Sequence, residues 1–370
     1  MSRKLLSYTA LGLILGNTAF ADVPKVAVDI APVHSLVSRV MEGVGTPELV
    51  IPAGASPHGY SLRPSEAKAL QDADMVIWMG EDLAPWMENS IETLSKNADV
   101  ITLLEESETK LLDFREGALF EEHDHGDHDD HDDHDDHDKD HDDHDDHDHD
   151  KDHDDHDDHD DHDHDKDHDD HDDHDDHDDH DHDKDHDDHD DHDDHDEHAH
   201  GEHDPHAWLS IENAQTWLNL VAGKLSAADP ENAGVYFANA AEARAEIDAL
   251  VKEVNSILEP VRGRNFVVFH DAYQYFETSF DFPAAGAISL GDASDPSAAR
   301  IAEIQDRVKD EGINCVLSEP QYNPNLVATV LSGTDAKTGV IDPLGASLEP
   351  GSNLYGDLIR NMAKSLAGCL

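Results

Sequence analysis

The chain is short of long apolar runs, of cysteine and of positive charge, and each shortage removes a class of function. Its one long apolar stretch near the start, residues 5–15, is too short to span a bilayer. Arg3 and Lys4 precede it and Ala19-Phe20-Ala21 follows, which reads as a secretory signal cleaved near Ala21/Asp22. No later run is long enough for a membrane helix, and no cysteine follows the cleavage point to carry a lipid anchor. The mature chain is therefore expected to be soluble, in the periplasm. Cys315 and Cys369 are the only cysteines. They are too far apart, and too isolated from other ligands, to make a metal site, whereas two cysteines in an exported chain are more often paired than free. A structural disulfide is expected. Lys and Arg number 24 against 88 Asp and Glu, a formal net charge of −64. Such a surface will not bind nucleic acid or anionic lipid, but it concentrates cations.

What the sequence has in excess is histidine and aspartate. From Glu121 to His203 it is almost wholly a His-Asp-Asp triplet broken by rare lysines, and this stretch holds 28 of the 32 histidines. Residues 121–204 contain 49 acidic and 4 basic residues, so −45 of the formal charge lies there. With almost no apolar residue and with like charges repelling, the tract cannot build a core and is expected to be disordered. Imidazole and carboxylate are the ligands that a borderline metal such as Zn²⁺ takes without sulfur. In an extended chain, histidines three residues apart stand about 9 Å from one another, too far to share one tetrahedral ion. The tract should therefore offer many weak, interchangeable sites. His123, His125, His147, His149, His198, His200 and His203 are the auxiliary ligand candidates.

Outside the tract, short apolar runs alternate with amphipathic stretches. Strands are expected over 25–30, 48–52, 75–80 and 100–104, and again over 266–270, 285–290, 313–317 and 340–342. Helical patterns cover 64–72, 85–96, 211–227, 296–310, 324–331 and 354–367. Strand alternating with helix is the mark of a parallel α/β sheet, and four units on either side of the tract imply two lobes. Residues 231–258 carry no strand signal and lie between Asp229-Pro230 and Pro260, which predicts one helix roughly 40 Å long. A helix of that length between two lobes is a rigid spine. The expected organisation is a signal at 1–21, a first lobe at 22–120 resumed at 205–229, the tract at 121–204, the linking helix at 230–259 and a second lobe at 260–370.

In parallel α/β sheets ligands bind beyond the carboxyl ends of the strands. His58 follows the second strand by a short loop, His206 precedes a helix just after the tract, His270 closes the fifth strand and Asp342 the eighth. Three imidazoles and a carboxylate at matching sheet edges, two from each lobe, point to a metal held between the lobes. His34, in Pro32-Val33-His34, is read as a cap or supporting residue. A zinc-hydrolase reading would take Asp271 or Glu319 as its base, but no nucleophile motif accompanies them, and no enzyme activity is expected.

Gly54-Ala55-Ser56-Pro57-His58-Gly59-Tyr60-Ser61-Leu62-Arg63-Pro64-Ser65 resembles the first metal motif of the zinc-binding subunit of bacterial zinc-uptake ABC transporters, the ZnuA type. Asp204-Pro205-His206-Ala207-Trp208, Phe269-His270-Asp271-Ala272-Tyr273 and Ile341-Asp342-Pro343-Leu344-Gly345 resemble the second, third and fourth, and a His/Asp-rich loop precedes the second. The resemblance implies two (β/α)4-type lobes joined by one long helix, with zinc between them, in a monomer that delivers zinc to an inner-membrane ABC permease. The pairing of Cys315 with Cys369 is similar to the zinc branch. Manganese-type relatives place a glutamate at the position of His270, and three neutral imidazoles suit Zn²⁺ better than Mn²⁺. Some zinc members carry an acidic residue after the first histidine where this chain has Gly59, so the fourth ligand is left between Asp342, a water, Glu202 and His203. The rival reading is a zinc buffer that acts mainly through the tract.

Overall fold

Both sheets of the protein are wound in the same way. In a computed structural model, which describes residues 23–115, 203–289, 297–310, 312–322 and 324–370, the first sheet contains β1 (Val26–Val28), β2 (Glu48–Leu49), β3 (Met75–Trp78) and β4 (Asp99–Thr102) in the order β2-β1-β3-β4. The second contains β5 (Phe266–His270), β6 (Gly286–Ser289), β7 (Cys315–Ser318) and β8 (Lys337–Val340) in the order β6-β5-β7-β8. Every pairing is parallel. The central strands β1, β3 and β5 are buried along their whole length, as parallel strands covered on both faces must be. Strand order reverses at β1 and at β5, and the carboxyl ends there are the natural crevices for a ligand. The signal segment, its cleavage point and the tract candidates His123, His125, His147, His149, His198 and His200 lie outside the described residues.

The helices follow from local signals. α1 (Ala31–Val40), α2 (Pro64–Asp72) and α3 (Pro85–Leu94) each have a proline in the first turn, where its fixed φ suits the helix and its missing N–H costs nothing. α4 (Ile211–Ala228) is capped by Ser210, whose Oγ accepts from Asn213 N at 3.2 Å. The long helix is α5 (Ala233–Leu258), 26 residues and about 39 Å. Its buried residues Tyr236, Ala240, Ala243, Ile247, Leu250, Val254 and Leu258 form one stripe at helical spacing. α6 (Gln274–Phe280), α7 (Ala298–Asp310), α8 (Pro324–Val330) and α9 (Leu354–Cys369) complete the second lobe. Cys315 and Cys369 are disulfide-bonded, with Cα atoms 5.7 Å apart.

One hydrophobic cluster runs through both lobes. It joins Val28 and Ile77 of the first sheet to Val268 and Leu317 of the second through α5 and α9. The outer face of the second sheet has its own cluster, in which Val267, Phe269 and Val316 pack with Ile304 of α7 and Val327 of α8.

The eighth strand differs from expectation. It occupies Lys337–Val340 and ends two residues before Asp342. Lys-Thr-Gly-Val is a largely exposed edge strand with little apolar content, while the buried Ile341 that marks the run already belongs to the loop. His34 lies inside α1, buried, with Nε2 3.0 Å from Pro47 O and Nδ1 3.4 Å from Ser38 Oγ. It is a supporting residue of the fold and no part of the crevice.

Candidate metal centre

Three loops at the carboxyl ends of the sheets bring the histidines together. His58 sits on the loop after β2, which turns at Gly54 with φ +87°, a conformation that favours glycine. A Cβ there would lie 3.4 Å from Ala346 Cβ, so this turn brings the first-lobe loop against the loop that carries Asp342. Trp86 of α3 fixes the loop next to His58, its Nε1 donating to Pro57 O at 2.7 Å. His206 opens the short 3₁₀ turn Ala207–Leu209. Asp204 Oδ1 accepts from both His206 N at 2.9 Å and His206 Nδ1 at 2.7 Å. The next turn is tied across the lobes, with Trp208 Nε1 donating to Pro343 O at 2.8 Å. His270 is the last residue of β5, and its Nδ1 lies 2.5 Å from Glu319 Oε1, one residue past β7.

His206 and His270 are thus held alike. Both are buried, and each has Nδ1 on a buried carboxylate, Asp204 or Glu319. A carboxylate behind an imidazole fixes the tautomer and ring orientation and raises the basicity of the other nitrogen. A metal would accordingly be taken through Nε2.

The ring spacing speaks to coordination number. The centroids of His58 and His206 are 5.7 Å apart, and those of His206 and His270 are 5.3 Å apart. With a Zn–N bond of about 2.0–2.1 Å an imidazole centroid stands about 3.2 Å from the ion, so two rings at the tetrahedral angle are about 5.2 Å apart. At the right angles of an octahedral site they would be about 4.5 Å apart. The spacing of His206 and His270 is close to the tetrahedral value, and His58 stands farther off. Among the described residues no three His, Cys, Asp or Glu side chains are arranged to hold a metal ion. The cavity among the rings is only ≈ 20 Å³, lined also by Glu319, Gln321 and Leu344. That is room for an ion or a water and not for an organic ligand. A larger cleft of ≈ 630 Å³ between Lys110, Gln215 and Tyr275 contains no histidine.

Asp342 is near this cavity but does not line it, although the next two residues, Pro343 and Leu344, do. Its Oδ1 accepts from Leu344 N at 3.1 Å and Gly345 N at 2.9 Å. It also faces the fully buried Tyr273, whose hydroxyl is pushed well above its ordinary pKa by burial first and then by Glu319 and Asp342. His203 pairs instead with Asp113, Nδ1 to Oδ1 at 2.9 Å, at the point where the tract leaves and rejoins the lobe. Glu202 lies outside the described residues. Sequence reasoning had no supporting role for Glu319 and passed over Gln321. The strand-end rule that selected His270 would have selected Glu319 too, had it been applied to carboxylates behind ligands as well as to ligands.

The family model for the zinc-uptake complex component A, periplasmic, matches residues 26–369. The chain belongs to the ZnuA family. It is 43% identical over 355 residues to the high-affinity zinc uptake system protein ZnuA of Brucella abortus, covering 96% of this chain and 94% of that one. The ZnuA of Paracoccus denitrificans is 43% identical over 368 residues, with 98% of each chain covered. The ZnuA of Haemophilus influenzae is 32% identical over 373 residues, with 100% and 99% covered. A crystal structure of a ZnuA shares the fold with a TM-score of 0.64 at 18% identity, covering 94% of this chain and 99% of that one. A zinc-bound deletion mutant of a ZnuA does so at 0.63 and 18%, covering 94% and 98%. The ZnuA family is a transport component and not an enzyme family.

Proposed function

We propose that the protein captures Zn²⁺ in the periplasm and delivers it to an inner-membrane ABC permease, and that His58, His206 and His270 are its zinc ligands. The observation that carries the ligand assignment is the approach of the His58 and His270 rings to that of His206, with centroids 5.7 and 5.3 Å away, at the carboxyl ends of the two sheets. Membership of a family of periplasmic zinc-uptake components supports the transport role, and the names of relatives 43% identical agree with it. The fourth position falls to Asp342, a water, or Glu202 or His203 at the end of the tract. The protein works as a monomer after loss of residues 1–21, and the tract, through His123, His125, His147, His149, His198, His200 and His203, adds weaker sites. No helix among the described residues is long and apolar enough to cross a membrane.

Capture needs little rearrangement. The ion replaces its water by nitrogens whose orientation Asp204 and Glu319 already set, and only the half-buried His58 has to close. Release then proceeds by small lobe shifts or local loop motion, because α5 and the shared core oppose wide hinge closure.

Competitive zinc titration of the mature protein and of a tract-deleted form, each with and without His58→Ala, tests the proposal. One tight site should survive tract deletion and disappear in the His58 variant. Tight binding that vanished with the tract and ignored His58 would make the protein a zinc buffer, with the lobes as its carrier.

A further inference from the structure

The turn after β7 does more than support His270. Glu319-Pro320-Gln321-Tyr322 is closed by Tyr322 N donating to Glu319 O at 3.3 Å, and it brings three side chains to one place. Glu319 backs His270 Nδ1. The Tyr322 ring stands edge-on to His270, centroids 5.4 Å apart, and stacks on Phe269 at 4.5 Å, which fixes the turn against the end of β5. Gln321, between them, lines the cavity among the three histidines.

Among the described residues nothing in the fold uses the Gln321 amide. The residue as a whole is half-buried, yet Oε1 and Nε2 are both closed off from solvent and neither has a hydrogen-bond partner there. A buried amide in that state costs free energy, so its partner is to be sought in what the cavity binds. The described alternatives for the fourth zinc position are placed differently. Asp342 does not line the cavity, and its Oδ1 accepts from two backbone N–H groups. His203 is paired with Asp113.

Chemistry decides how an amide can serve here. Zn²⁺ takes thiolate, imidazole and carboxylate from proteins, and a carboxamide is a poor substitute for any of them. Its carbonyl is nonetheless a good hydrogen-bond acceptor. Water on zinc is acidified, its pKa falling to about 7, which makes it a strong donor. A water also suits the charge of the site. Carboxylates already stand behind two of the rings, Asp204 on His206 and Glu319 on His270. They match the two charges of the ion, and a neutral fourth group adds no further charge to a buried centre.

We propose that Gln321 is a positioning residue for the fourth coordination place: its Oε1 accepts a hydrogen bond from the water that completes the zinc shell. The proposal rests on His58, His206 and His270 as the ligands, and within that reading it selects the water.

Two variants of the full mature chain test it. Gln321→Leu keeps much of the side chain's bulk and removes its polar atoms, while Gln321→Glu keeps an acceptor oxygen. Zinc affinity is read by chelator competition, the metal's surroundings by the visible absorption of the Co²⁺ form, and metal-free stability by urea unfolding. Gln321→Leu should weaken zinc binding about tenfold or more, the usual cost of losing a group behind a metal ligand, and should alter the Co²⁺ bands. Without metal it should unfold at no lower urea concentration than the parent, because an apolar group replaces an amide that has no partner. Gln321→Glu should bind zinc at least as tightly as the parent. Unchanged zinc affinity and Co²⁺ bands in Gln321→Leu overturn the proposal. So does a loss of affinity that Gln321→Glu shares, or one accompanied by an equal fall in metal-free stability, since the side chain would then only be packing. Failure of the zinc assignment itself looks different, since His58→Ala would then leave tight binding intact.

Discussion

Asp29 shows how much one side chain can do at the end of a central strand. It is fully buried, with Oδ1 accepting from Ile30 N and Oδ2 from Met79 N, both at 2.7 Å, and so it joins the ends of β1 and β3. Burial raises its pKa from 3.8 to about 7, against the pull of those two bonds. Since the folded pKa lies above the unfolded one, the native state holds the extra proton between about pH 4 and about 7. Stability from this group is full below that window and is lost as pH rises through it. His34 has the opposite sign: burial lowers its pKa, so its contribution falls as pH drops below about 6.5. Comparison with Asp29→Asn isolates the first effect. From pH 5 to pH 8 the parent should lose on the order of 2 kcal/mol relative to the variant in urea unfolding; parallel pH profiles would contradict this account. At this scale the candidate metal centre was only half legible in the sequence. The three histidines could be picked out because so few histidines lie outside the tract, and strand ends have a known use. Nothing in the sequence placed Glu319 behind His270, or Arg115 on Asp271 across 156 positions, because those contacts come from how the chain folds back.

Among the elements, the strongest periodicities were the most readable. β5 and α2 lie where the sequence puts them, at Phe266–His270 and Pro64–Asp72. The long helix starts two residues late, after a turn in which Asp229 Oδ2 accepts from Asn232 Nδ2 at 2.7 Å and from Tyr236 OH at 2.8 Å. β8 was misplaced because its identity is set by what covers it. At Gly339 an added Cβ would stand 2.8 Å from Leu317 Cδ2, 3.1 Å from Cys369 Cβ and 3.3 Å from Cys369 Sγ. Leu317 can rotate away, whereas Cys369 is held by its disulfide. The strand therefore gives up a side chain so that the bridge can pack on it, and apolar content, the usual strand signal, is missing there. Gly339→Ala should lower stability by about 1–3 kcal/mol, measured by urea unfolding, with zinc affinity unchanged.

For the whole molecule the governing fact is that both lobes share one core. α9 crosses back from the second sheet to the first lobe. Tyr355 N donates to Ser35 Oγ at 2.9 Å and Tyr355 OH to Trp208 O at 3.1 Å, and the last turn is bonded to β7 through Cys369. The disulfide closes a separation of 54 residues, worth about 4 kcal/mol on the chain-entropy account. Replacing both cysteines by alanine should lower the unfolding free energy by roughly that amount while leaving tight zinc binding in native buffer. Loss of binding by the folded double variant would show that the bridge also shapes the metal centre.

The pairing of Asp113 with His203 bears on inheritance. Leu112 O accepts from Asp204 N at 2.8 Å, and the Tyr275 hydroxyl accepts from Leu112 N and donates to Asp204 O, each at 2.9 Å. The chain thus leaves the first lobe and re-enters it at one stapled point. Lengthening whatever lies between those stems strains neither stem, and even a wholly flexible insertion would cost only about 0.6 kcal/mol for each doubling. His-Asp-Asp is a unit that copying errors in a repetitive gene add or delete whole. Descendants of one ancestor are therefore free to differ widely in tract length and still inherit the same fold and the same metal centre.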